Sequence, residues 1–329
     1  MACAFLPIID FGAYLDPASS SEKRLAVAHE IDKACRYPGM FYLTNHGVPQ
    51  ELWDKVRTCA HQFFQLPLEE KNKHVVASYT RGYWHVGPEE HDNRGEGIAF
   101  HPPVNCYSNG LARKADPNSP SARLPTSPDA LGDQNSWPSD EFRAVTEEYL
   151  DHVLRVKDRV LEAIATSLDI SNESLKRMQN TSMSATINGY PASAKGEAEQ
   201  RGINLREHAD SGCITFLNQD LGAASLQAQD REGVWRNVQP IPNAFVVNVG
   251  CVLNKWTGGQ YIDVIHRVIH RLEKPRVSVV AFTNPPFDGI VEPLPEFAEL
   301  CKGQAKYAPT TFGSFLLKQI GDYDGPLES

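Results

Sequence analysis

The chain has 329 residues, 41% of them hydrophobic and 22% charged, the balance of an ordinary globular protein with one large domain or two modest ones. Its net charge of -9 and pI near 5.7 argue against nucleic acid or an anionic membrane as the main partner, because both favour a basic face. A small molecule is the expected partner. No apolar run approaches the roughly 18–20 residues of a membrane span, and no basic region precedes an apolar one at the N-terminus. The seven cysteines are scattered without a CxxC pair, which predicts free thiols, a reducing compartment and a cytoplasmic location.

In chain order, residues 22–37 place Leu25, Ala28, Ile31 and Cys35 at helical intervals, and 50–65 do the same with Leu52, Val56, Cys59 and Phe63. Residues 111–140, rich in Pro, Ser and Asn, read as a long loop that serves as a lid or is a plain insertion. The longest helical signal is 140–168, where Phe142, Val145, Tyr149, Val153, Val160, Ile164 and Leu168 form an apolar stripe suited to core packing. Ser139 and the acids after it mark its start. Beyond residue 183 the period drops to two. SATINGY, CITFLNQ, SLQAQ, GVWRNV, AFVVNV, IDVIHRVI and RVSVVAFT are short, β-branched and bounded by turn residues. The fold class they predict is mixed α and β: a two-sheet barrel or jelly roll, buttressed by the N-terminal and central helices.

The stretch LREHADSGCITFLNQD (205–220) sets His208 and Asp210 two residues apart, so on extended backbone they project to one side. Alone, HxD is a common coincidence. The segment IDVIHRVIHRLEKPR adds His266, flanked by Val264 and Val268 on an inward face, and His270, which falls at the strand end and reads as a surface residue or one standing behind a ligand. The bland reading of His266 is a hydrogen-bonded core histidine; its pairing with HxD favours a metal. Two imidazoles and a carboxylate suit the facial triad of a non-haem Fe(II) oxygenase, whereas zinc hydrolysis lacks the supporting HExxH helix. In RVSVVAF, Arg276, Ser278, Val280 and Phe282 share a face, and a buried Arg and Ser there require an anion: an exogenous carboxylate or an internal ion pair. Asn188 and Tyr190 in INGYP either orient that anion or satisfy each other.

LPIIDFGAYL, IDKACRYPGMFYLTNHGVPQELWDKV, FFQLPLEEKNK, RGYWHVGPE, NGYP, HAD, HRV, RVSVVAFTNP and KYAPTTFGSFL follow one another in an order that resembles the Fe(II)/2-oxoglutarate-dependent dioxygenases of the isopenicillin N synthase-like family. The likeness spans nearly the whole chain. It implies a double-stranded β-helix, with iron on His208, Asp210 and His266, and 2-oxoglutarate on Arg276, Ser278, Tyr190 and Asn188. It also implies oxidative decarboxylation with O2, coupled to hydroxylation, desaturation or cyclisation of a small organic substrate, plausibly in natural-product biosynthesis. The implied organisation is an N-terminal helical region (1–110), a loop or lid (111–140) and a catalytic core with its central helix (141–329), all one structural unit. Arg81, Tyr83, Phe100, Phe216 and Phe282 are candidate substrate-pocket residues. Isopenicillin N synthase and aminocyclopropane carboxylate oxidase share the Arg-x-Ser pair without consuming 2-oxoglutarate, so an oxidase of that type is the alternative; an inactive ligand-binding relative is the remote one. Two departures stand out: Ala209 where relatives often carry Thr, and Gly250-Cys251 where they often carry Gly-Asp.

Overall fold

The alternating second half of the chain closes into a barrel whose two faces do different work, and the first half supplies both its buttress and its edges. The computed structural model describes residues 5–76, 81–85, 95–101, 135–193, 203–222 and 224–324. It begins with β1 (Ile8–Asp10), the single turn α1 (Gly12–Leu15) and α2 (Ser21–Arg36), whose cap Ser20 accepts from the Lys23 amide at 3.3 Å. There follow β2 (Met40–Thr44), α3 (Gln50–Phe64), α4 (Leu68–Asn72), β3 (Gly82–His85) and β4 (Glu96–Phe100). The central helix α5 (Asp140–Leu168) starts where Ser139 Oγ accepts from the Phe142 amide at 3.0 Å. Asp140 and Glu141 in its first turn complement the helix dipole. Residues 111–134 of the expected lid lie outside the described residues.

After α6 (Asn172–Gln179) come β5 (Ser182–Tyr190), β6 (Leu205–His208), β7 (Ile214–Gln219), β8 (Leu226–Gln229), β9 (Trp235–Val238) and β10 (Phe245–Val249). Then α7 (Cys251–Trp256), β11 (His266–Val268), β12 (Arg276–Asn284), the hairpin pair β13 (Ile290–Val291) and β14 (Thr310–Thr311), and α8 (Phe312–Asp324) complete the chain. The major sheet has eight strands in the order β1-β2-β10-β7-β12-β5-β4-β3, and the minor sheet four, β6-β11-β8-β9. All neighbours pair antiparallel except β1 with β2. Strands β1 to β4 therefore complete both edges of the major sheet, beside the helices of the N-terminal region.

Period-two sequence explains the two faces. On β12, Val277, Val279 and Ala281 join a core with α2, α3 and α5, while Val280 turns to a second cluster between the sheets. On β10, Phe245, Val247 and Val249 face the helices, and Val246 faces the barrel interior. The helix-side cluster runs from Ile9 to Phe312, so one core ties the N-terminal segment to the C-terminal helix.

Candidate active site

The minor sheet brings the two histidines together. β6 and β11 pair with His208 directly opposite His266, setting their ring centroids 4.3 Å apart at a tilt of 50°. Strand β6 ends at His208, and Asp210 sits in the connection to β7, where its carbonyl accepts from the Cys251 amide at 2.7 Å. Asp210 Oδ1 lies 3.5 Å from His208 Nε2 and 3.7 Å from His266 Nε2. One donor atom from each of the three falls within 4.8 Å of the others. These gaps are wide for hydrogen bonds and suit three donors around one ion at a little over roughly 2 Å.

Each ring is also oriented from behind. His208 Nδ1 meets the Arg206 carbonyl at 2.8 Å and His266 Nδ1 meets the Val264 carbonyl at 3.1 Å. A carbonyl only accepts, so the proton belongs on Nδ1 and the Nε2 lone pair is left for a metal. Asp210 is held likewise: its Oδ2 accepts from Thr215 Oγ1 at 2.5 Å and from Asn248 Nδ2 at 2.7 Å, which turns Oδ1 toward the histidines. Thr215 and Asn248 were not singled out from sequence. Their signal was a polar residue at an inward position of CITFLNQ and of AFVVNV.

Burial resists charge throughout this cluster. It pushes Asp210 up, but His266, His208 and the Thr215 hydroxyl overcome it and hold the carboxyl far below its usual range. His266 is lowered by burial and then by the charge of His208. For His208 burial works downward, yet the close approach and negative charge of Asp210 prevail and raise it.

On the major sheet, Arg276 is only 1% exposed. Its Nη2 donates to Gln219 Oε1 at 2.8 Å, its Nη1 reaches Ser278 Oγ at 3.5 Å, and its guanidinium lies 4.9 Å from the centre of the Tyr190 ring. Nε has no partner among the described residues, nor does any carboxylate among them form an ion pair with this arginine. Asp220, whose charge it feels, engages the Val277 amide and His61 Nε2 at 2.7 Å each through Oδ2, and Arg57 at 3.4 Å through Oδ1. Among the described residues, the internal ion pair weighed from sequence is therefore not formed. Burial of a guanidinium without a counter-ion costs several kcal/mol, which fits a site built for an incoming anion. Asn188 faces Ser278 and Tyr190 faces Arg276 in register, and all four border the same cavity as the His-Asp-His cluster.

Of the other candidates, Phe282 lines this cavity. Phe216 does not: it is fully buried on the helix side, 5.5 Å from Phe245, and alternation gives the inward place to Leu217. Tyr83 points to the same helix-side core and donates to Glu96 Oε2 at 2.6 Å. Phe100 stacks on Trp137 at 4.0 Å, and Arg81 donates to the His101 carbonyl at 3.0 Å and Asn135 Oδ1 at 2.7 Å. β3 and β4 form the far edge of the sheet, and these three side chains serve the core and edge there. His270 is not on the surface either. It is fully buried, with Nδ1 at 2.8 Å from Ser225 Oγ and Nε2 at 2.8 Å from the Lys274 carbonyl, so neither nitrogen is left for a metal. At the Gly-Cys departure, Gly250 packs against the Asp210 segment, and Cys251 Sγ accepts from Gln319 Nε2 of α8 at 3.3 Å.

Two imidazoles and a carboxylate beside an arginine without a counter-ion among the described residues, all inside a two-sheet barrel, fit the class of non-haem Fe(II) oxygenases that bind an organic acid. Residues 6–140 match the family described as non-haem dioxygenase in morphine synthesis N-terminal, and residues 179–285 match the 2OG-Fe(II) oxygenase superfamily. The chain is 30% identical over 334 residues, 96% of each chain, to homoarginine-6-hydroxylase 2-ODD-233 of Oryza sativa subsp. japonica. It is 32% identical over 336 residues to the 2-oxoglutarate-Fe(II) type oxidoreductase hxnY of Emericella nidulans, covering 94% of this chain and 88% of that one. The structure of JOX2 with 2OG, Fe and JA superposes with a TM-score of 0.73 at 27% identity, covering 95% of this chain and 84% of the other. A full-length Neurospora crassa protein in complex with alpha-KG and thymine shares the fold, with a TM-score of 0.78, 22% identity and 97% coverage of both chains. The chain belongs to the 2OG-Fe(II) oxygenase superfamily; it is an oxidoreductase that uses Fe(II), 2-oxoglutarate and O2. No helix among the described residues is long and apolar enough to cross a membrane.

Proposed function

We propose that His208, Asp210 and His266 hold the ferrous ion, that Arg276, Ser278, Tyr190 and Asn188 hold 2-oxoglutarate, and that the enzyme hydroxylates a small organic molecule of specialised metabolism in the cytoplasm. The observation that carries this reading is the approach of Asp210 Oδ1 to both Nε2 atoms, at 3.5 and 3.7 Å, in the cavity that also receives Arg276. When bound, the iron supplies activation of O2 coupled to decarboxylation of the 2-oxo acid. The protein supplies placement. Arg206 and Val264 carbonyls fix the histidine rings, Thr215 and Asn248 fix the carboxylate, and the Arg276 fork neutralises the distant carboxylate of the 2-oxo acid. Leu217, Leu226 and Val280 keep water from the space between. Phe282 forms one wall near the substrate, and residues 1–110 act with the core as one unit.

Homoarginine is the first substrate to test, because hydroxylases of that amino acid from rice, soybean and Arabidopsis are 30–32% identical to this chain. The experiment is a metabolite screen, opened with homoarginine, for succinate released in step with oxidised product. One succinate per product is expected. Product formed without 2-oxoglutarate and without succinate would place the enzyme with the aminocyclopropane carboxylate oxidase type, one of which, from Cucumis melo, is 28% identical.

A further inference from the structure

Gln219 closes β7 directly opposite Ser278 of β12, on the sheet face that carries Thr215 and Leu217 into the barrel. The residue is only 6% exposed, and its Oε1 accepts from Arg276 Nη2 at 2.8 Å. Guanidinium has donors only, so the amide has one acceptable orientation: carbonyl toward Arg276, NH2 away from it. That leaves Gln219 Nε2 buried and without a partner among the described residues, as Arg276 Nε is. A buried donor left unmade costs about 1–3 kcal/mol, and these two belong to a hydrogen-bonded pair of which Arg276 borders the cavity while Gln219 stands behind it, so they point to an acceptor that arrives from outside. The backbone here is held independently of the side chain, because Arg57 Nη1 donates to the Gln219 carbonyl at 3.2 Å.

Resting on the 2-oxoglutarate site proposed above, we infer that Gln219 is a further cosubstrate-binding residue, which fixes the Arg276 fork through its carbonyl and donates from its amide to the distal carboxylate of 2-oxoglutarate. It thereby helps to select a dicarboxylic 2-oxo acid over a monocarboxylic one.

The test is anaerobic calorimetric titration of the Fe(II)-loaded enzyme with 2-oxoglutarate and with 2-oxobutyrate, which lacks the distal carboxylate. Gln219→Met keeps length and removes both polar atoms. It should raise the Kd for 2-oxoglutarate by about 10- to 100-fold, the worth of a hydrogen bond to a charged group, while the Kd for 2-oxobutyrate and the iron stoichiometry stay as in the wild type. Gln219→Glu keeps the shape but sets a carboxylate against Arg276. It should weaken 2-oxoglutarate at least as much, with thermal stability retained. An unchanged Kd for 2-oxoglutarate in either variant overturns the inference, and so does an equal loss for both acids, which would mark general damage to packing. Arg276→Gln separates the two levels. If it binds 2-oxoglutarate as the wild type does, the site itself is misassigned; if it fails to bind while both Gln219 variants bind normally, only the role of Gln219 falls.

Discussion

Thr215 and Asn248 matter through a single oxygen of Asp210. By occupying Oδ2 at 2.5 and 2.7 Å they leave Oδ1 as the one atom available to the histidine side. Thr215→Val and Asn248→Leu keep bulk and remove these bonds, so each should weaken Fe(II) binding by about 10- to 100-fold without unfolding the protein. Anaerobic metal titration measures this, and wild-type affinity in both variants would remove them from the site. At this scale the convergence of His208, Asp210 and His266 was legible, because HxD and an inward His266 are chemically loud. Phe216 shows what was not. Being aromatic and near the motif made it a candidate, but a shift of one residue along a strand reverses the face, and Leu217 has the inward place. His270 misled for a related reason: a short strand followed by a turn reads as surface, whereas Ser225 and the Lys274 carbonyl bury it.

Among elements, β5, β10 and β12 and the helices α2, α3 and α5 were readable because each buries one face and repeats its pattern long enough to declare a period. The strands β2 to β4 were not. They run four to five residues, too few for a period, and exist because the barrel offers them unpaired edges. The junction of β10 and α7 is where an element positions chemistry. A Cβ on Gly250 would come within 2.3 Å of the Gly212 carbonyl oxygen and 2.9 Å of that of Asp210, both backbone atoms without room to yield. Gly250→Ala should therefore cost about 1–3 kcal/mol of stability and weaken metal binding together. Denaturant unfolding with and without Fe(II) reads both, and a variant as stable and as avid as the wild type would refute this view of the junction.

Across the whole molecule, His46 joins the N-terminal region to the barrel. It stacks on Trp53 of α3 at 4.9 Å and meets Phe245 of β10 at 4.5 Å, with Nδ1 accepting from the Val48 amide at 3.2 Å. Burial lowers its pKa from 6.5 to about 4. In the unfolded chain the imidazole takes its proton near pH 6.5, while the folded protein refuses it until about pH 4. The unfolded state thus binds more protons in that window, and stability, complete above it, should fall by about 2–3 kcal/mol as pH drops through it. His46→Phe should flatten that slope in chemical denaturation, and an unaltered slope would contradict the assignment. Such long-range joins were the least legible feature, since no local pattern tells a helix which strand it will meet. The central claim, one ferrous ion on three side chains with 2-oxoglutarate anchored beside it, is tested most directly by anaerobic visible spectroscopy. Wild-type protein given one equivalent of Fe(II) and then 2-oxoglutarate should develop a weak charge-transfer band that saturates with the 2-oxo acid and is absent from His266→Ala; no band in the wild type, or the same band in His266→Ala, would contradict it.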